Sequence, residues 1–171
     1  MSFSEYSDEE IKKRVSVSLD ILMKMDSYLL INDVNERSVS HKLAVYLQNL
    51  FSDWHVDCEF NRKGPKTKEL DGIHECSEQK ETDRVYPDII IHQRGETNNL
   101  LVIEIKTQNE DVCDRKKLEL FTNLNGNYKY QLGLYIHFKG VNSPRLHWYK
   151  DGGVHERRIH RLWNRHNSRR L

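Results

Sequence analysis

Asp88, Glu104 and Lys106 fall inside two compact β-branched runs, residues 85–92 and 100–106, that are otherwise built for burial. Side chains alternate along a strand, so Glu104 and Lys106 share a face. A hairpin folded about Glu96 pairs positions that sum to 192 and sets Asp88 directly opposite Glu104. Like charges opposed on paired strands repel, and burial makes two ionised carboxylates costlier still. A positive partner is required. Lys106 supplies one charge and a divalent cation supplies a second; carboxylate oxygens are hard ligands and suit Mg²⁺ or Mn²⁺. The alternative is an ion pair between Lys106 and one acid at a sheet end, with the register slipped by one residue and Asp88 turned to the other face.

These residues need elements to hold them. Residues 5–31 read as a helix, with Ile11, Val15, Leu19, Leu22 and Met23 at helical spacing and acids in the first turns. A second helix runs from about Val34 to Phe51 with Val39, Leu43, Tyr46, Leu47 and Leu50 on one stripe. Asp33 and Glu36 have the spacing of a capping box, so Glu36 has a capping reading beside any chemical one. Residues 54–60 alternate as a strand with Trp54, Val56, Cys58 and Phe60 on one face. Residues 61–84 are polar, with turn signals at Gly64-Pro65 and Asp71-Gly72, and read as a surface insertion. The runs 85–92 and 100–106 form the buried hairpin. A helix over 114–124 turns Leu118, Phe121 and Leu124 inward, and strands follow at 132–138 and 145–149.

The chain of 171 residues fits one domain with a real core. Lys and Arg number 27 against 26 Asp and Glu, which excludes a whole-chain polycation and leaves local basic patches open. The tail 154–171 is such a patch: six arginines, Arg157 and Arg158 through Arg170, face one acid, Glu156. Ile159, Leu162 and Trp163 among them suggest a docked helix. Cys58, Cys76 and Cys113 are odd in number and far apart, which points to a reducing cytoplasm and away from a disulfide scaffold. No apolar run is long enough to span a bilayer, and the acidic start lacks the order of a secretory signal. His74 and Cys76 read as solvated loop residues, since no paired spacing suggests zinc.

Pro87-Asp88, fifteen intervening residues and Glu104-Ile105-Lys106 resemble the PD-(D/E)xK nuclease superfamily. The order helix–strand–strand–strand–helix–strand over about residues 34–138 is similar to that family's common core. The resemblance implies an α/β restriction-endonuclease-like fold, a mixed central sheet flanked by helices, and a metal-dependent nuclease, with DNA as the expected substrate. It implies that Asp88 and Glu104 bind Mg²⁺ or Mn²⁺, that Lys106 orients the attacking water, and that Glu36, matching the acid of the family's first core helix, joins the metal sphere. Gln131-Leu-Gly-Leu-Tyr135 fits the letters of one branch's Gln-x-x-x-Tyr element, here on a strand. A homodimer follows by analogy only. The rival reading is a nuclease-like fold without turnover, used as a nucleic-acid-binding or protein-interaction module. On either reading Arg157, Arg158 and Arg161 are the expected nucleic-acid contacts, because arginine forks match phosphate oxygens.

Overall fold

The computed structural model describes residues 5–32, 34–60, 62–63, 66–67, 86–140 and 143–160. Its centre is a six-stranded mixed sheet. The runs 89–92, 100–105 and 132–137 at its middle are buried on both faces, which is why they read as unbroken apolar stretches rather than alternating ones. In chain order the elements are α1 (Asp8–Met25), α2 (Ser27–Ile31), α3 (Glu36–Leu50), β1 (His55–Cys58), β2 (Arg62–Lys63), β3 (Lys66–Thr67), β4 (Ile89–His92), β5 (Asn99–Lys106), α4 (Val112–Thr122), β6 (Leu132–His137), β7 (Arg145–Lys150) and β8 (Gly153–Ile159). The sheet order is β1-β4-β5-β6-β7-β8, and β2 pairs only with β3. β5 and β6 run parallel, joined through α4; every other neighbouring pair is antiparallel.

The two faces have different cores. Ile89, Ile91, Leu101, Ile103, Ile105, Leu134, Ile136 and Trp148 pack with the apolar stripes of α1 and α3. Ile90, Val102, Tyr135 and Tyr149 pack with Leu118 and Phe121 of α4. Gly133 lies on this second face. A methyl group there would sit 3.1 Å from Thr122 Cγ2 and 3.2 Å from Tyr149 Cβ, so glycine lets α4 close onto β6.

The central hairpin has the expected register: Ile89 pairs with Ile103, Ile90 with Val102 and Ile91 with Leu101, and the ladder shifts only at His92. Elsewhere the structure differs from the sequence reading. The first helix is broken at Asp26, whose carboxylate accepts from the Tyr46 hydroxyl and whose carbonyl accepts from Leu29 N at 3.0 Å. Ser7, not predicted as a cap, closes a capping box with Glu10. α3 begins at Glu36 and is capped by Asn35, whose side chain accepts from Arg37 N and Ser38 N. Glu36 is therefore the first helical residue and not the third, so the Asp33–Glu36 capping box is not the device that starts this helix. Glu59 has φ 48°, a left-handed residue that ends β1 and turns Phe60 to the α4 side while Val56 stays on the other. Leu124 is 59% exposed and not inward. Residues 153–159 are a strand, not the start of a helix. Most of the polar insertion, with His74 and Cys76, lies outside the described residues. Among the described residues no helix is long and apolar enough to cross a membrane.

Candidate active site

The carboxylates gather where β5 ends and the first turns of α3 and α4 come alongside. Asp88 is the residue before β4. Its Oδ2 accepts a hydrogen bond from Ile105 N at 2.7 Å, and its carbonyl accepts from Glu59 N at 3.2 Å. The aspartate therefore caps the open end of the hairpin ladder, held by backbone on two sides. Glu104 follows from strand alternation: Ile103 and Ile105 face α1 and α3, so Glu104 faces α4, and it is only 2% exposed. Its Oε1 accepts no hydrogen bond and lies 3.9 Å from Lys117 Nζ.

Lys106 shares the Glu104 face but sits at the strand end, where its longer side chain reaches both layers. Its ammonium lies 3.1 Å from Glu36 Oε1 and 3.0 Å from Asp114 Oδ2. Glu36 Oε2 accepts from Thr107 N at 3.2 Å, so the first residue of α3 is fastened to the end of β5. A cleft of about 670 Å³ opens on this corner, lined by Asn35, Glu36, Arg37, Glu59, Tyr86 and Asp88. Asp88 and Glu36 are reached from it, while Glu104 is buried and does not line it.

Sequence reasoning missed two members, Asp114 and Lys117, both on α4. Asp114 is 3% exposed and bonded to Lys117 at 2.6 Å through its Oδ1. The signal was present: Asp114 precedes Leu118 by four residues and Phe121 by seven, so it belongs to the buried stripe of its helix. An acid there needs a cation, and Lys117 one turn on is the nearest.

Four carboxylates, Glu36, Asp88, Glu104 and Asp114, thus share two ammonium groups. The imbalance shows at Asp88 and Glu104. Burial, with smaller contributions from Glu36 and Asp114, pushes Asp88 up to about 6 against the pull of the Ile105 N–H and Lys106. Burial also pushes Glu104 well above the usual carboxylate range, Lys117 opposing. Burial works against the charged form of Lys106, but the neighbouring Asp114 and Glu36 outweigh it and raise its pKa. Lys106 therefore stays protonated and donates; it does not accept a proton.

A divalent cation fits this corner. The Oε1 of buried Glu104 accepts no hydrogen bond, and the cation nearest it, Lys117 at 3.9 Å, is bonded to Asp114, so the oxygen is left free to ligate an ion beside Asp88. Mg²⁺ asks for only one or two carboxylates and fills the rest of its shell with water and phosphate oxygen. Asp88 and Glu104 provide that number. Among the described residues no three His, Cys, Asp or Glu side chains converge as a ligand cage. Glu36, expected as a third ligand, is engaged by Lys106 and Thr107 N.

The other expected site residues lie elsewhere. Gln131 is level with the start of β5, since its N–H donates to Asn99 O at 3.0 Å. That is six residues, or roughly 20 Å, from Lys106 along the strand direction. Its side chain donates to Tyr6 O and Asp8 Oδ1, each at 2.9 Å, and so ties the start of α1 to the sheet. Gln131→Ala should lower stability by about 1–2 kcal/mol in a urea melt, the loss of two half-buried hydrogen bonds. Catalysis, if measured in the same preparation, should be unchanged; a variant that melts normally but is inactive would return Gln131 to the site. Arg157 and Arg158 are consecutive on β8 and point to opposite faces. Arg158 pairs with Glu156, which also meets Lys12 of α1 at 3.1 Å. Arg161 lies outside the described residues. No family model, curated protein or solved structure matches the chain.

Proposed function

We propose that this chain is a metal-dependent nuclease of the PD-(D/E)xK type with a restriction-endonuclease-like fold, hydrolysing phosphodiester bonds in DNA. The observation that carries the reading is the pair Asp88 and Glu104: two carboxylates at the end of one hairpin, one of them buried with an oxygen that accepts no hydrogen bond, beside a protonated Lys106. An isolated structural ion pair accounts for Lys106 and one acid. It leaves Glu104 buried with only the more distant Lys117, 3.9 Å away and bonded to Asp114, as its cation.

Asp88 and Glu104 would hold the cation. A cation bound there would supply a lowered pKa for its water and neutralise charge on the phosphate. The chain's own groups do the rest. The Ile105 N–H fixes the Asp88 carboxylate, so that one oxygen is oriented before substrate arrives. Lys106, held charged by Glu36 and Asp114, is a fixed positive group behind Glu36 of the cleft lining. It orients the attacking water and stabilises negative charge as it develops on the phosphate oxygens. Lys117, bridging toward Glu104 and Asp114, keeps the inner carboxylates in place.

One observation favours a second reading, a nuclease-like binding module without turnover. The Lys106 ammonium already lies between Glu36 and Asp114, where it neutralises part of the cluster without a metal. Incubation with single-stranded, double-stranded and branched DNA in Mg²⁺, Mn²⁺ or EDTA separates the two. Products in either metal and none in EDTA are expected. Intact DNA in every arm, with the protein folded, would leave only the binding module.

A further inference from the structure

One line of side chains leads away from Glu104 across four adjacent strands. The ladder pairs Glu104 with Tyr135, Tyr135 with His147, and His147 with Arg157. Directly paired residues share a sheet face, so all four lie on the α4 side. The next line toward the strand ends runs Lys106, His137, Arg145. From above, Arg115 of α4 lays its guanidinium over the Tyr135 ring, 5.1 Å from the centroid.

Three guanidinium groups, those of Arg115, Arg145 and Arg157, thus surround His147 on the sheet face that continues from Glu104. Arg145 is 50% exposed and Arg157 is exposed. His147 sits among them: burial and then Arg115, Arg157 and Arg145 push its pKa down, with Glu110 opposing. Glu110 is the acid that meets this group, pairing with Arg115, with His137 at 3.0 Å and with Arg145 at 3.7 Å. Glu119, farther along α4, is occupied by Lys116 at 3.2 Å. Arg157 forms no ion pair with a carboxylate among the described residues. The opposite face of β8 is different, since Arg158 there is neutralised by Glu156.

A charged edge strand protects a sheet from pairing with another chain. That purpose is served by either sign on either face. It does not account for three arginines from three elements meeting on the one face that is continuous with Glu104.

We propose that Arg115, Arg145 and Arg157 form the track along which the sugar-phosphate backbone of a nucleic-acid strand lies beside the carboxylate corner. The track's relation to a scissile bond rests on the nuclease reading; its affinity for the backbone does not. Arg157 is three strand spacings from Glu104, roughly 14 Å. That is the rise of about four nucleotides in one strand of a duplex. The contacts carry no base information, so binding is insensitive to sequence and strongly dependent on salt.

The test uses a short fluorescently labelled single-stranded oligodeoxynucleotide, titrated by anisotropy in EDTA over a range of salt concentrations. The double variant Arg145→Gln/Arg157→Gln should bind roughly tenfold more weakly, with the log–log salt slope reduced by about 1.4 units for two lost single-strand phosphate contacts. Arg145→Lys/Arg157→Lys should restore most of the slope, and Arg158→Gln should change neither quantity. Melting curves establish that each variant is folded. Wild-type affinity and slope in the folded double glutamine variant would overturn the track, as would an equal loss in Arg158→Gln or no binding by the wild type. Cleavage in Mg²⁺ is read separately. Binding with the expected variant effects but no products upholds the track and ends the nuclease reading. Products from the wild type with undiminished binding by the double variant do the reverse.

Discussion

Glu104→Gln should remove DNA cleavage, by about a thousandfold or more, in a protein that still folds. Glutamine has the shape of glutamate, so the buried space beneath the cleft stays filled. What disappears is the charge. A neutral amide is a poor ligand for a hard divalent ion, and Asp88 alone is left to hold it. The neighbours remain satisfied, because Lys117 keeps its 2.6 Å bond to Asp114. Lys106 keeps both Glu36 and Asp114. Removing a charge buried to 2% exposure should not destabilise the metal-free fold. Single-turnover cleavage in Mg²⁺, set beside a thermal melt in EDTA, checks both halves. A glutamine variant that cuts at the wild-type rate would end the assignment of Glu104, and with it the nuclease reading.

The hairpin was legible because its information is local. Burial on both faces wrote the runs 89–92 and 100–105 as apolar blocks, and the polar stretch between them fixed the pairing. The acids in and beside those blocks stood out against that background. Asp114 had no such background. It lies near a helix start, where an acid is the ordinary residue, and only its phase with Leu118 and Phe121 marks it as inward. Strand alternation makes Lys106 a companion of Glu104, since the two share a strand face. In the fold its length carries it past Glu104 to two acids on different helices, a contact between layers that no strand periodicity encodes.

β8 was misread for a related reason. It is an edge strand with little apolar content, so hydrophobic alternation, the usual sign of a strand, is missing. Its arginines were read as one cluster, while strand geometry divides Arg157 from Arg158 and gives them different neighbours. The reading of one long first helix failed at Asp26, where a hydrogen bond from Tyr46 of α3 holds the break. Tertiary contacts of this kind override a continuous helical stripe.

In metal-free protein at about pH 7.5, Asp88→Asn should be more stable than the wild type, by about 1–3 kcal/mol. The folded Asp88 carboxyl is pushed up to about 6 from its ordinary value of 3.8. Between those values the folded state holds a proton that the unfolded chain has released. Its contribution to stability is therefore fully present below about pH 4 and is lost as pH rises through about 6. Above that window the folded protein carries a carboxylate it would rather keep neutral, at a cost of up to roughly 3 kcal/mol. Asparagine is neutral at every pH, and its side-chain oxygen can still accept from Ile105 N. Glu104, also raised by its burial, adds a downward slope of its own in both proteins. Urea melts in EDTA from about pH 4 to 7.5 should show the two stability curves meeting at the acid end and separating as pH rises. Mg²⁺ or Mn²⁺ should reverse the order at high pH, since ions that bind the native carboxylates stabilise the wild type by mass action and find a weaker site in the variant. A variant less stable than the wild type at about pH 7.5 in EDTA would mean that Lys106 and Lys117 already balance the cluster. Asp88 would then be a structural partner of the lysines, with no vacancy of charge for a metal to fill.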